Sequence, residues 1–142
     1  MTYISLKRRI KNNEGFSKTP YKDQLGNPTI GYGHLIQKCE ACFFKKKLSK
    51  KYLTKLFEVD FNNAVKVYEK KFSKLKLRNN QKELLIEMIF QLGEKKVLGF
   101  KKMLTNLINK KKYLAALEMM DSLWYKQTPK RVENLIKNHL NQ

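Results

Sequence analysis

The sequence is short of acid. Twelve aspartate and glutamate residues face 31 lysines and arginines, giving a formal charge of +19 at neutral pH and a pI near 10.0. Such an excess favours polyanions: nucleic acid, anionic lipid or the polymers of a bacterial envelope. The lysines are spread along the whole chain, so the pattern also reads simply as solvated helix faces and a Lys/Asn-rich coding bias. Long apolar runs are missing too. No stretch approaches the roughly 20 apolar residues of a membrane-spanning helix. The first residues, MTYISLKRRIKNNEGF, are basic without an apolar core, so no secretory signal is expected. Synthesis in a cytoplasm follows as the expectation.

Cysteine and histidine are scarce, at two each. Cys39 and Cys42 form one C-x-x-C, which alone fits a redox pair, half of a zinc site, or two free thiols. No second pair at ligand spacing follows, and His34 and His139 are far apart, so free reduced thiols and no metal are expected. Internal repeats and low-complexity linkers are absent. At 142 residues and 42% hydrophobic content the chain is one domain with enough apolar material for a core.

What is present gathers around EGFSKTPYKDQLGNPTIGYGH, residues 14–34. Upstream, Tyr3, Leu6 and Ile10 mark one face of a short helix. Gly15 suits the left-handed position past its end, so Glu14 falls in the last turn. A carboxylate there opposes the helix dipole, which favours its protonated form, the direction a general acid needs. The plain alternative is a solvated end residue. Downstream, Asp23 closes one arm of a hairpin, Gln24 to Pro28 is turn chemistry, and Thr29 to Ile36 reads as the return strand. Gly31 and Gly33 are poor strand residues unless something approaches the backbone closely. Two carboxylates and a hydroxyl between a helix end and a Gly-bearing hairpin fit glycoside hydrolysis.

That stretch resembles the catalytic segment of the T-even phage lysozymes: Glu, eight residues, Asp, five residues, Thr, then I-G-Y-G-H. FQLGEKKVLGF at 90–100 and WYKQTPKR at 124–131 resemble two further runs of the same family, in the same order. The resemblance implies an α+β, lysozyme-like two-lobed fold over residues 1–142. The small lobe would span about 12–60, with a β-hairpin sheet, and the helical lobe about 1–11 and 61–142. It implies a muramidase cutting the β-1,4 bond between N-acetylmuramic acid and N-acetylglucosamine in peptidoglycan. Inversion would put the carboxyl groups about 6.5–9.5 Å apart.

By the same resemblance Glu14 is the general acid, Asp23 the second carboxylate and Thr29 the residue holding the attacking water. Leu35, Phe90 and Gln91 line the glycan path. Arg131 matches an arginine that pairs with the catalytic glutamate, and Asp60 an aspartate that pairs with His34. Asp60 reads otherwise as an exposed acid on a basic helix. Met103 and Glu118 stand where the T-even type has a serine and an asparagine, which alters the subsites. No cofactor is implied. The implied setting is a monomeric phage lysozyme, either a free endolysin made in the host cytoplasm and acting on the periplasmic wall or an enzyme carried in the virion tail. Its basic surface would suit anionic envelope polymers, with no nucleic acid required. A rival class, a cationic wall-, membrane- or nucleic-acid-binding module without catalysis, would show a basic stripe with aromatics or a nucleic-acid motif, and no such motif is found.

The remaining pattern is helical. Gln37 to Lys47 is short, basic and irregular. From Ser49, Leu53, Phe57, Phe61, Ala64, Tyr68 and Phe72 trace one apolar face. Asn80 with Glu83 resembles a capping box opening an almost wholly apolar helix that Gly93 stops. Short helices are predicted near 101–109 and 112–120. Thr128-Pro129 starts the last helix, on whose apolar stripe His139 reads as a packing residue.

Overall fold

The computed structural model describes residues 3–140; Met1, Thr2, Asn141 and Gln142, which belong to the expected domain, lie outside them. Two compact units divide between Asn63 and Ala64.

The first unit opens with α1, Ile4–Glu14, which buries Leu6 and Ile10 completely. Its end at Gly15 is closed by a 2.9 Å bond from the Gly15 N–H to the Lys11 carbonyl. Gly15 has φ 70° but ψ −177°, so the chain leaves extended rather than through the left-handed cap expected. Extension feeds β1, Ser17–Lys22, which pairs antiparallel with β2, Pro28–Gly31, which in turn pairs antiparallel with β3, His34–Leu35. The expected single return strand is thus two strands. Gly31 and Gly33, with φ 67° and 75°, fold the chain back at Tyr32. In the ladder Tyr21 faces Thr29, Thr29 faces Leu35, and Ile30 faces His34; the β1–β2 register is irregular between Ser17 and Tyr21.

Beneath the sheet, Ile30, Ile36, Phe43 and Leu53 form one cluster. Phe43 belongs to a 3-10 helix, Lys38–Phe44, kinked at Glu40, where the sequence suggests irregular chain. Ser49 accepts the Tyr52 N–H at 3.1 Å and starts α2, Lys50–Phe72. Every residue of its expected stripe is buried, from Leu53 at 1% exposure to Phe72 at 3%. The unit boundary falls within this helix.

In the second unit a 3-10 turn, Ser73–Leu75, precedes α3, Asn79–Leu92, which buries Leu84 through Ile89 without a break. Its start differs from expectation: Gln81, not Glu83, reaches back to the Arg78 N–H at 3.1 Å. Asn80 instead donates to the His139 carbonyl at 2.6 Å. Then come α4, Glu94–Leu98; α5, Lys101–Ile108; α6, Lys112–Met120; α7, Leu123–Gln127; and α8, Pro129–His139. Thr128 precedes α8 as expected, but its hydroxyl donates to the Trp124 carbonyl at 3.1 Å and does not cap the helix it precedes. Val132, Leu135 and His139 are buried. Among the described residues no helix is long and apolar enough to cross a membrane.

Candidate active site

Glu14 is the final residue of α1, and its carboxyl lies against the backbone of the β2–β3 turn. A Cβ on Gly33 would stand 2.5 Å from Glu14 Oε1 and 2.7 Å from its Cδ, closer than side-chain carbons pack. The close approach anticipated at the glycines is therefore made by the candidate general acid itself. At Gly31 the neighbour is Leu53, whose Cβ would be 3.3 Å away.

Asp23 sits just past β1, and its carboxylate organises the turn. Its Oδ1 accepts the N–H groups of Leu25 at 2.9 Å and Asn27 at 2.8 Å. Main-chain bonds from Asp23 N–H to Asn27 O and from Gly26 N–H to Asp23 O, at 2.9 and 3.0 Å, close the same loop. One oxygen is thereby fixed by backbone donors, leaving Oδ2 as an oriented acceptor. Thr29, at 2% exposure, donates its hydroxyl proton to the Asn27 carbonyl at 2.8 Å. With its single donor engaged, the Thr29 oxygen presents only lone pairs. A water near both groups can give one proton to Asp23 Oδ2 and one to Thr29 Oγ1, and keeps a lone pair for attack.

Tyr21 shares this region. No sequence motif singles it out, although two-residue spacing from Asp23 on a strand is a usable signal. Its phenol is held above its ordinary value, first by burial and then by the negative charges of Glu14 and Asp23.

His34 stands on β3 with both ring nitrogens occupied. Nδ1 lies 2.7 Å from Asp60 Oδ2, the partner expected, and Nε2 lies 2.9 and 3.1 Å from the two oxygens of Glu40. Burial disfavours the charged ring, but hydrogen bonds and charge from the two carboxylates raise its pKa to about 9. Glu40 also accepts the Gln37 N–H at 2.9 Å, capping the 3-10 helix, while its contact with His34 ties that helix to the sheet. No sequence signal marks Glu40, because its position depends on a helix that has no periodic pattern. Cys39 and Cys42, in the same 3-10 helix, are exposed and free.

The other expected site residues are in the second unit. Gln91 accepts the Trp124 indole N–H at 3.0 Å, and Trp124 meets Phe100 edge-on. Phe90 is half-buried beside it. Arg131 Nη2 lies 3.7 Å from Glu87 Oε2, and His139 Nε2 lies 3.9 Å from Glu87 Oε1. Glu87 is fully buried, which its place in an apolar run concealed. Met103 is also fully buried, and with Glu118 it lines a pocket of about 540 Å3 walled by Phe100, Leu123 and Trp124.

A small antiparallel sheet after a short helix, followed by a long helix and a helical unit, is a lysozyme-like α+β fold. Residues 11–141 match the phage lysozyme family, and the chain belongs to it. The chain is 35% identical to probable T4-type lysozyme 2 of Dictyostelium discoideum, over 93% of this chain and 91% of that protein. It is 36% identical to probable T4-type lysozyme 1 of the same organism, with the same coverage. The pre-baseplate central spike protein Gp5 of Enterobacteria phage T4 is 31% identical over 93% of this chain, which spans 27% of that larger protein. Family membership makes this chain a glycosidase of the lysozyme class.

Proposed function

We propose that the protein is a muramidase that hydrolyses the β-1,4 bond between N-acetylmuramic acid and N-acetylglucosamine in peptidoglycan, by single displacement with inversion. The observation that carries this reading is the hydrogen-bond direction at Thr29. Its proton goes to the Asn27 carbonyl and Asp23 Oδ1 is held by two N–H groups, so the pair offers two acceptors to one water. Glu14 gives its proton to the glycosidic oxygen as the bond to the anomeric carbon breaks. The water attacks that carbon from the opposite face and passes a proton to Asp23. Leu35, Phe90 and Gln91 contact the sugar chain, and Arg131 serves the catalytic glutamate as its family counterpart does. His34 and Asp60 support the sheet. The two lobes expected from the sequence, about 12–60 and about 1–11 with 61–142, form one catalytic domain.

The biological setting is bacteriolysis by a monomer made in a host cytoplasm that acts on the wall as an endolysin. The charge of +19 favours contact with anionic envelope polymers. The family match and the names of two relatives, both T4-type lysozymes, support the substrate class.

The test is mass analysis of muropeptides released from purified sacculi by the parent and by Glu14→Gln. Hydrolysis yields reducing N-acetylmuramic acid ends, and 1,6-anhydro ends would replace the muramidase reading with a lytic transglycosylase. Loss of the general acid is expected to cut cleavage by about 10²–10⁴-fold. Wall binding should hold, since one charge among +19 contributes little. Undiminished clearing by Glu14→Gln with no reducing ends would mean that charge alone lyses cells.

A further inference from the structure

We propose that Tyr21 is a substrate-contacting residue, its hydroxyl donating a hydrogen bond to a sugar oxygen beside the scissile bond; this rests on the muramidase reading above. The placement comes from the ladder. Tyr21 on β1 faces Thr29 on β2, and Thr29 faces Leu35 on β3. Residues directly opposite on antiparallel strands project to the same face, so the three side chains form one row across the sheet. Thr29 holds the water in the proposed mechanism, and Leu35, 43% exposed, meets the sugar chain. Tyr21 is the third member of the row, and it lies two residues before Asp23.

The phenol is free for this task. It is half-buried, yet its hydroxyl has no hydrogen-bond partner among the described residues. Tyr125, by contrast, donates to Glu133 at 2.7 Å. An unengaged phenol on a candidate cleft row can exchange its solvent contact for a bond to a ligand oxygen. Burial first, and then the negative charges of Glu14 and Asp23, hold the phenol above its ordinary value and keep it protonated. It is therefore a donor throughout the range in which Asp23 can act as a base.

The recipient is a sugar oxygen and not the attacking water. Asp23 and Thr29 already take both protons of that water. A third bond, donated by Tyr21, would engage one of the lone pairs and make the water a poorer nucleophile. A ring hydroxyl or acetamido carbonyl of the sugar has lone pairs to spare and needs a donor once its own water is stripped away.

The experiment compares the parent, Tyr21→Phe and Glu14→Gln on soluble, uncrosslinked peptidoglycan strands. It reads kcat and KM separately alongside the melting temperature. Losing one hydrogen bond to a neutral oxygen should lower kcat/KM about threefold to tenfold. The melting temperature should stay near the parental value, because the hydroxyl makes no hydrogen bond to the described residues. A parental kcat/KM for Tyr21→Phe, while Glu14→Gln is inert, removes Tyr21 and leaves the muramidase reading standing. A loss that only tracks a lowered melting temperature also overturns the assignment. Parental cleavage by Glu14→Gln would instead remove the reading on which it rests.

Discussion

The carboxyl of Glu14 fills the space that a side chain on Gly33 would need. An added Cβ would meet Oε1 at 2.5 Å, in a backbone already at φ 75°. Gly33→Ala should therefore do two separable things. The left-handed backbone should cost about 1–2 kcal/mol of stability. The carboxyl, the mobile partner in the collision, should be displaced, and a shift of that size can lower rate by about 10²-fold. Gly93→Ala is the control: its φ is 86°, and nothing lies within 4 Å of an added Cβ. It should lose stability but keep near-parental cleavage well below its melting point. Equal loss of cleavage in the two variants would show strain alone, not displacement of Glu14.

His34 makes stability depend on pH in a defined direction. Its pKa rises from 6.5 to about 9, because hydrogen bonds to Asp60 and Glu40 outweigh burial. A pKa raised by folding means the native state binds the proton more tightly. The contribution is thus complete below about pH 6.5 and is lost as pH climbs through 9. His34→Asn should destabilise on the order of 2 kcal/mol at pH 5.5, where free carboxylates remain ionised, and much less at pH 9.5. Urea unfolding at the two pH values decides it; a loss that does not vary with pH would leave the ring with a packing role only.

Glu40 accounts for part of that rise. Glu40→Gln keeps an oxygen for the Gln37 N–H but removes the charge facing Nε2, while Asp60 still faces Nδ1. The His34 ring should then titrate below the parental value of about 9 and still above 6.5. Proton NMR of the ring, followed against pH, reads this directly. An unmoved titration would assign the whole rise to Asp60.

Legibility followed the origin of each signal. The α2 stripe from Leu53 to Phe72 and the short helices α5 and α6 were readable, because one face buried against a core repeats every three or four residues. The local structure around Glu14, Asp23 and Thr29, a helix end, a turn and a strand, was readable because turn chemistry in one continuous stretch marks it. The fold-back at Tyr32 was not: I-G-Y-G-H alternates like one strand, and only the positive φ at both glycines turns it into two. Glu40 was hidden for a different reason. Its partner His34 is six residues away across a 3-10 helix that follows no apolar period. Glu87 was hidden by its neighbours, since a single acid within LLIEMIF is outvoted by the apolar face around it.

That buried acid supports the last prediction. Glu87 is fully buried, with Arg131 at 3.7 Å and His139 at 3.9 Å. Taking the carboxylate out of a buried ion pair typically costs about 3–5 kcal/mol. Glu87→Leu should therefore destabilise by about that much, although leucine suits the surrounding core. The cause would be the loss of the buried counter-charge facing Arg131, whose side chain is only 11% exposed. If so, Arg131→Met added to Glu87→Leu should recover much of the loss, because an apolar pair of similar volume needs no counter-charge. The double-mutant cycle in urea isolates this coupling. The double variant also separates two roles of the arginine. A protein that regains stability but not peptidoglycan cleavage assigns Arg131 to the reaction as well as to the core. One that regains both leaves it a structural residue only.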